Sequence, residues 1–320
     1  MATKHDKIPL ILDTDIGSDI DDAVCLAYLL RQPRCELLGV TTVSGKPQER
    51  AALADAVCRA AGRTDVPVHA GQDQGFLLGT VQPECPQSSV LSCFEHRPPQ
   101  DFRPNTAFDF LRHTIHERPG EITLLAVGPM TNLALLFAAD PEIPKMLKHL
   151  VLMCGVFTNR TAGVGPLEWN AHCDPIATAL VYKAPVPDFT SIGLEVTNKC
   201  KIESNECIQR FNKIGGPLTV VSAMTGVWSK QSKQVTFHDP LAAAVIFEPE
   251  LCEYQSGQVD VELLSERVKG MTHFNFRAEP KPHRIAVEVN PEDFFEHYFR
   301  ITAGLKCTPL SGQKDSIFKV

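Results

Sequence analysis

Acidic residues are concentrated in one short stretch near the N-terminus. Five aspartates fall within residues 13–22, and they are Asp13, Asp15, Asp19, Asp21 and Asp22. Carboxylates at this density repel one another and raise each other's pKa values unless a cation neutralises them. Oxygen ligands suit a hard divalent ion, and calcium, with about six to eight loosely arranged ligands, fits better than magnesium. The stretch therefore predicts a metal or catalytic site.

A helix N-terminus explains only part of this stretch. Negative charge is favourable at the start of a helix, so the last three aspartates could simply load a first helical turn. That does not account for Asp13 and Asp15, which directly follow the apolar residues 8–12. A short apolar run, a glycine and then helical periodicity are typical of a buried parallel strand, a turn and a helix. Such turns lie at the edge where open α/β sheets bind ligands.

Polar side chains recur at two later points. The strand-like residues 121–127 stop at a Gly-Pro pair, which could leave a carbonyl at that end free to bind a metal, although an ordinary strand-to-helix turn explains the pattern equally well. Glu168 and Asn170 stand two apart in what reads as an extended segment, so their side chains would point the same way. They could hold two hydroxyls of a sugar.

A third point lies late in the chain, at His238 and Asp239. Asp239 fits the start of a helix, whereas His238 offers an acid or base at neutral pH. Trp228, just upstream, could stack on a planar ring, although a lone tryptophan in a helix more often belongs to the core.

Composition excludes several functional classes. The chain has 320 residues, 43% of them hydrophobic, which is enough for a large core. Its net charge of −7 indicates no electrostatic footprint for nucleic acid or anionic membranes. No apolar run is long enough to span a bilayer, and the N-terminus does not resemble a secretory signal. Eleven cysteines without a C-x-x-C pair are typical of reduced thiols, so we expect a cytoplasmic protein.

Strand-like and helix-like segments alternate over most of the chain. This predicts an α/β fold of one domain, with a mainly parallel, Rossmann-like central sheet flanked by helices. The expected strands are residues 8–12, 36–43, 66–70, 121–127, 150–153 and 189–194, followed later by 254–264, 271–276 and 285–289. Residues 71–104 lack periodicity, and a loop of that length is usually functional or mobile. The domain would cover residues 1–304, and residues 305–320 would form a weakly ordered tail.

Taken together, the motifs resemble the nucleoside N-ribohydrolases of the inosine-uridine-preferring type. The resemblance rests on five elements in the family's order: residues 13–22, V-G-P-M-T-N at 127–132, L-M-C-G at 152–155, E-W-N at 168–170 and H-D-P at 238–240. It covers residues 8–302. It implies the nucleoside hydrolase fold and hydrolysis of the N-glycosidic bond between ribose and a purine or pyrimidine base. It also implies a tightly held calcium ion.

The resemblance assigns the metal site residue by residue. Asp15 and Asp22 would bind calcium, together with the carbonyl of Val127 and the carboxylate of Asp239. Asp15 would also act as the general base toward the attacking water.

The resemblance also assigns the substrate site. Asp21, Glu168 and Asn170 would hold the ribose hydroxyls, with Met153 packing nearby. His238 would lie toward the leaving base and help to protonate it. The substrate would be a small-molecule ribonucleoside, and the protein would self-associate as a dimer or tetramer.

Three departures from the family pattern leave the base preference open. The acidic turn is two residues longer than the commoner D-x-D-x-G-x-D-D, so Asp19 could replace Asp21 in the ribose role. Lys46 stands where many members have asparagine. Residues 71–104 lack the His-Gly pair that members often place over the base.

Two other functions remain as alternatives. In a phosphohydrolase of the haloacid dehalogenase type, Asp13 would be the nucleophile and Asp15 an acid-base group beside magnesium. That reading leaves Glu168, Asn170 and His238 without roles. A calcium-binding relative that has lost turnover is the second alternative.

Overall fold

The structure is a computed structural model that describes residues 7–158 and 164–305. Beyond Leu305, the predicted C-terminal tail lies outside the described residues. Eleven strands are present in the described part: β1 (Ile8–Thr14), β2 (Cys35–Thr42), β3 (Val68–Ala70), β4 (Thr123–Ala126), β5 (His149–Met153), β6 (Phe189–Ile192), β7 (Lys201–Glu203), β8 (Gln234–Thr236), β9 (Cys252–Val261), β10 (Thr272–Asn275) and β11 (His283–Val289).

Twelve α-helices accompany these strands in the same part of the chain. They are α1 (Asp21–Arg31), α2 (Pro47–Ala60), α3 (Thr106–Glu117), α4 (Thr131–Ala139), α5 (Ile143–Met146), α6 (Trp169–Cys173), α7 (Pro175–Lys183), α8 (Leu194–Thr197), α9 (Ser204–Ile214), α10 (Pro217–Trp228), α11 (His238–Phe247) and α12 (Pro291–Thr302). Short 3-10 helices cover Pro86–Cys93, Pro99–Asp101 and Pro249–Leu251.

Nine strands form one sheet in the order β10-β9-β11-β6-β5-β4-β1-β2-β3. The seven strands from β3 to β11 pair in parallel, whereas β9 pairs antiparallel with both β11 and β10. The predicted mainly parallel α/β sheet is therefore confirmed. After β1 the chain adds β2 and β3 on one side, and then returns to add β4 on the other. The gap between β1 and β4 is thus a topological switch point, where open α/β sheets bind ligands.

Both faces of the sheet are covered. Leu10 and Leu12 of β1 belong to one apolar cluster, and Ile11 belongs to the other. Neighbouring residues of a strand point to opposite faces, so this division shows that β1 is buried from both sides. Helices α1, α2, α10, α11 and α12 pack together on the first face, while α3, α4, α5 and α7 pack on the second.

Three sequence-based expectations differ from the structure. The strand expected over residues 189–194 ends at Ile192, and the short helix α8 begins two residues later. The small antiparallel pair β7–β8 was not predicted, because strands of three residues carry too little periodicity to be recognised. The long loop before α3 contains two 3-10 helices. Within the described ranges, no helix combines the length and apolar character needed to cross a membrane.

His283 is a buried residue of β11, and its side chain is hydrogen-bonded to both strand β9 and helix α7. Its Nδ1 accepts a hydrogen bond from the backbone N–H of Val259 at 2.8 Å, and its Nε2 donates to the carbonyl of Tyr182 at 2.9 Å. Burial lowers the pKa of His283 to about 4. Protonation of Nδ1 would also break the bond to Val259, so the native ring is neutral at pH 7.

This neutral histidine makes the protein less stable in acid. The unfolded chain binds the proton near pH 6.5 and the folded chain only near pH 4, so stability is complete above about pH 6.5 and declines as the pH falls toward 4. We expect His283 alone to remove about 2 kcal/mol of unfolding free energy between pH 7 and pH 5. Urea unfolding of the wild type and of His283→Gln at both pH values measures this contribution.

The His283→Gln variant should be less stable at pH 7 and should lose less stability on acidification than the wild type. His273→Gln is the matched control, since His273 is exposed on the neighbouring strand β10 and should keep the wild-type dependence. Equal pH dependence in His283→Gln and the wild type would contradict the assignment.

Candidate active site

A cavity of about 680 Å³ opens at the carboxyl ends of β1, β4 and β5. It lies at the switch point, because the turns after β1 and β4 both contribute to its wall. The residues that the sequence predicted to bind or react all line it: Asp15, Asp21, Asp22, Val127, Met153, Glu168, Asn170, Trp228, His238 and Asp239. These residues span more than two hundred positions of the chain, and the fold brings them to one place.

Three carboxylates of the cavity lining lie close together, and they form what is called here the floor of the cavity. Asp21, Asp22 and Asp239 are buried, and each offers an oxygen atom within 4.8 Å of those of the other two. Asp21 and Asp22 begin α1, and Asp239 lies in the first turn of α11, where helix dipoles favour negative charge. Burial, followed by the charges of neighbouring aspartates, raises the pKa of all three well above the ordinary range. Such a group can stay fully ionised only beside a cation.

Asp15 extends this cluster along the turn. It is buried, and its Oδ2 accepts a hydrogen bond from Nε2 of Gln82 at 2.8 Å. Burial raises the pKa of Asp15, whereas the guanidinium of Arg50 lowers it. The charge of Asp15 in turn raises the pKa of Asp22.

The atoms gathered here suit a hard metal ion. The sequence-derived ligand set consists of carboxylates from Asp15, Asp22 and Asp239 and the carbonyl of Val127, which are all oxygen donors. Oxygen-only sets with several carboxylates are typical of calcium and magnesium sites. The buried charge of the cluster fits such an ion as well, because a divalent cation removes the repulsion among the aspartates.

Glu168 and Asn170 line the side of the cavity, but not in the way that the sequence suggested. Residues from Trp169 onward form helix α6 rather than an extended segment, and Glu168 caps it. The carboxylate of Glu168 accepts backbone N–H groups from Asn170 at 2.7 Å, Ala171 at 3.0 Å and Gly155 at 3.1 Å. The alternation argument was therefore wrong about the backbone, although both side chains do reach the same cavity.

The orientation of Asn170 is fixed by its own amide group. Nδ2 donates to the carbonyls of Val127 at 2.7 Å and Met153 at 3.1 Å. Both amide hydrogens are thus engaged, and only Oδ1 remains available to a ligand. Asn170 can therefore accept a hydrogen bond from a hydroxyl group but has no donor left to offer.

His238 and Trp228 also line the cavity. Nδ1 of His238 lies 2.7 Å from Oγ1 of the buried Thr197. Burial, aided by the charge of Lys201, lowers the pKa of His238 to about 4. Nε1 of Trp228 donates to the carbonyl of Gln234 at 2.9 Å, which fixes the indole ring at the end of α10.

Arg50 is a residue of this site that the sequence analysis missed. Its side chain is completely buried at the start of α2. The guanidinium donates to the carbonyls of Asp15 and of Ile16 (3.1 Å) and to the hydroxyl of Ser18 (3.0 Å), and it also reaches the carbonyl of Glu84 (3.1 Å). Its partners lie in two turns that are distant in the sequence, so no local pattern marks it.

Gln82 and Trp169 were also missed as site residues. Both line the cavity, and Nε1 of Trp169 donates to Oε1 of Gln82 at 2.7 Å. Lys46, the departure noted after β2, lies outside the lining residues and forms an ion pair of 2.8 Å with Glu84 at the rim.

Asp13 is not among the residues that line the cavity. Its carboxylate accepts hydrogen bonds from Oγ1 of Thr41 and from Nδ2 of Asn132, the latter at 2.7 Å. Burial raises the pKa of Asp13 to about 7. A side chain held in this way has no access to a substrate in the cavity, so the geometry gives no support to Asp13 as a nucleophile.

Comparison with known proteins identifies the family. The family model described as inosine-uridine preferring nucleoside hydrolase matches residues 10–296. Uridine nucleosidase 1 of Arabidopsis thaliana is 32% identical over 271 residues, which cover 81% of this chain and 79% of the plant protein. The pyrimidine-specific ribonucleoside hydrolase RihA of Salmonella arizonae is 28% identical over 308 residues, covering 90% and 96% of the two chains.

Solved structures show the same fold. A purine-preferring ribonucleoside hydrolase from Gardnerella vaginalis superposes with a TM-score of 0.80 at 24% identity, covering 93% of this chain and 98% of the other. The family match spans nearly the whole sheet and every residue of the cavity named above. The chain therefore belongs to the inosine-uridine preferring nucleoside hydrolases, which are N-glycosidases.

Proposed function

We propose that this protein hydrolyses the N-glycosidic bond of ribonucleosides with the help of a bound calcium ion, and that it releases ribose and the free base. The observation that carries this proposal is the convergence of Asp21, Asp22 and Asp239 at the floor of a cavity whose walls hold hydroxyl-accepting and aromatic side chains. Family membership supports the reaction class. The metal and the residue roles follow from the arguments below.

Calcium fits the floor of the cavity better than magnesium. Asp15, Asp22, Asp239 and the carbonyl of Val127 would supply at least four protein oxygens, whereas magnesium usually keeps several waters and binds one or two carboxylates. When bound, such an ion lowers the pKa of a water molecule and fixes vicinal hydroxyl groups.

Three side chains are suited to hold the ribose. Asn170 presents only an acceptor oxygen, which matches the O–H of a sugar hydroxyl. Glu168 accepts three backbone N–H groups, which hold its carboxylate in a fixed direction at the cavity wall. Between the two aspartates of the longer turn, Asp21 is supported over Asp19, because Asp21 belongs to the carboxylate cluster and accepts the N–H of Asp239 at 3.4 Å. Oxygens around the sugar stabilise the oxocarbenium-like transition state.

Asp15 and His238 would carry the proton transfers. Asp15 would accept the proton of the attacking water, while His238, which lines the same cavity, would lie beside the leaving base. If the hydroxyl of Thr197 donates to Nδ1 of His238, the neutral ring keeps its hydrogen on Nε2. That hydrogen can then bond to the departing base, whose negative charge must be neutralised for the bond to break quickly.

The same cavity suggests what the base would contact. The indole rings of Trp169 and Trp228 line it, and aromatic faces can stack on a purine or a pyrimidine. The sequence relatives named above are described as acting on uridine and pyrimidine ribonucleosides. Uridine and cytidine are therefore the first substrates to test.

Two broader expectations remain proposals. Cysteines in the described ranges are free thiols, and most are buried, which supports a reducing, cytoplasmic location. Self-association as a dimer or tetramer remains an expectation from the family.

The first prediction concerns Asp15. Asp15→Asn keeps the shape of the side chain but cannot accept the proton of the attacking water, so release of ribose should fall about 1,000-fold. Purified protein is incubated with uridine, cytidine and inosine, and ribose and free base are measured by a reducing-sugar assay and by chromatography. Asp73→Asn, at an exposed position in the long loop, is the control and should retain activity.

A phosphate ester included in the same panel tests the phosphohydrolase alternative. Release of phosphate without release of ribose would contradict the proposed function. Release of neither, from protein that binds calcium, would favour the non-catalytic alternative.

The second prediction concerns the metal. Because an ion that binds only the folded chain stabilises it, calcium at a hundred times its dissociation constant should add about 3 kcal/mol of stability, and chelation should remove it. Differential scanning calorimetry measures the change in Tm with calcium, magnesium or chelator. Asp239→Asn should weaken calcium binding, whereas the exposed Asp101→Asn should not. An equal response to calcium in Asp239→Asn and the wild type would exclude Asp239 as a ligand.

The third prediction concerns His238. His238→Ala should lower kcat for uridine by about 100-fold, because the leaving base loses its hydrogen-bond donor. With 4-nitrophenyl riboside the loss should be much smaller, since nitrophenolate leaves without being protonated. Steady-state kinetics with both substrates measure the difference, and His96→Ala serves as a control in the long loop. Equal losses with the two substrates would show that His238 does not assist the leaving group.

A further inference from the structure

Gln82 connects two residues of the cavity lining, Asp15 and Trp169, through one amide group. Its Nε2 donates to Oδ2 of Asp15 at 2.8 Å, and its Oε1 accepts from Nε1 of Trp169 at 2.7 Å. We propose that Gln82 is a positioning residue that orients the carboxylate of Asp15, and that Trp169 sets the direction of the Gln82 amide. This inference rests on the proposed function insofar as it takes Asp15 as metal ligand and general base.

The chemistry of the three groups permits only one arrangement. An indole N–H can only donate, and an ionised carboxylate can only accept. The amide of Gln82 has an oxygen that accepts and a nitrogen that donates. Its oxygen must therefore face Trp169, and its nitrogen must face Asp15. If the indole N–H is removed, the amide can turn over and place its oxygen against the carboxylate of Asp15. Trp169 therefore acts on Asp15 without touching it.

The backbone around Gln82 is held by the buried guanidinium of Arg50. This group donates to the carbonyl of Glu84 at 3.1 Å and lies 3.5 Å from the carbonyl of Gln82 itself. It also donates to the carbonyl of Ile16 in the acidic turn at 3.1 Å. One buried cation thus ties the segment that carries Gln82 to the turn that carries Asp15. The hydrogen bond between the side chains of Gln82 and Asp15 therefore joins two segments whose backbones are both held by Arg50.

A hydrogen bond to one carboxylate oxygen restricts rotation of the whole group. With Oδ2 of Asp15 engaged by Gln82, the direction of Oδ1 is set before any ligand arrives. Groups that orient a metal ligand in this way commonly contribute about tenfold to a hundredfold in metal affinity or activity. The neutral amide of Gln82 orients the carboxylate and leaves the negative charge of Asp15 intact. A lysine at this position would neutralise that charge.

The experiment compares Gln82→Leu, Trp169→Phe and the double variant. Calcium affinity is measured by titration calorimetry on chelator-treated protein, and kcat and KM are measured with uridine. We expect Gln82→Leu to weaken calcium binding about tenfold and to lower kcat by about tenfold or more, with a smaller change in KM. Trp169→Phe keeps an aromatic ring but lacks the N–H, and it should weaken calcium binding about threefold.

The double variant distinguishes a shared chain of contacts from two separate ones. If Trp169 acts through Gln82, the double variant should bind calcium no more weakly than Gln82→Leu alone. Additive losses would overturn the role given to Trp169. Wild-type calcium affinity and kcat in Gln82→Leu would overturn the role given to Gln82. Gln74→Leu, an exposed glutamine in the same loop, is the matched control, and Tm values verify that all variants fold.

The two readouts separate this inference from the proposed function. If the wild type binds calcium but hydrolyses no nucleoside, the proposed function fails, while the effect of Gln82→Leu on calcium affinity still decides the role of Gln82. If the wild type is active and Gln82→Leu keeps both the wild-type calcium affinity and the wild-type kcat, the orientation of Asp15 does not depend on Gln82, and the inference fails while the proposed function stands.

Discussion

The repulsion among buried carboxylates at the floor of the cavity is the constraint on which the rest of the site depends. Asp21, Asp22 and Asp239 are buried, and each has an oxygen atom within 4.8 Å of those of the other two, close enough to bind one ion. Left alone, such a group would take up protons or push its helices apart. The first turns of α1 and α11 supply partial positive charge, and the guanidinium of Arg50 supplies a full one. These contributions reduce the repulsion, and a divalent ion would remove it.

The sheet topology explains why this cluster can form at all. At the switch point the chain departs in opposite directions from β1, so the turns after β1 and β4 leave an open crevice between them. Helix α11 follows α1 by more than two hundred residues in the sequence but packs against it in the fold. This contact brings Asp239 to Asp21. Because β1 is buried on both faces, the turn that follows it stands on a rigid base. The floor of the cavity therefore rests on a strand that is buried from both sides.

The sequence predicted those parts of the site whose residues form a recognisable pattern over a short stretch of chain. The five aspartates after one apolar run identified the strand, the turn and the helix, and the alternation of elements identified the sheet. Trp169 and Gln82 were not recognised, because their significance lies in a contact across 87 positions that no local pattern encodes. Arg50 was overlooked for the same reason, since its partners lie in two distant turns. Glu168 was placed in an extended segment, although its carboxylate caps a helix of only five residues, which is too short to show a helical period.

The cavity has two regions that are constrained to different degrees. One wall holds Asn170 and Glu168, whose polar groups are largely engaged by the protein. Both amide hydrogens of Asn170 are donated to carbonyls, and the carboxylate of Glu168 accepts three backbone N–H groups. A substitution there leaves a buried group without a partner, which is costly. The rim of the cavity is different, since Glu84 is exposed and Trp169 is half exposed. Substitutions at the rim leave few buried groups unsatisfied. If this wall binds the ribose and the rim binds the base, as proposed, substitutions that alter ribose binding cost stability, whereas substitutions that alter base preference cost little.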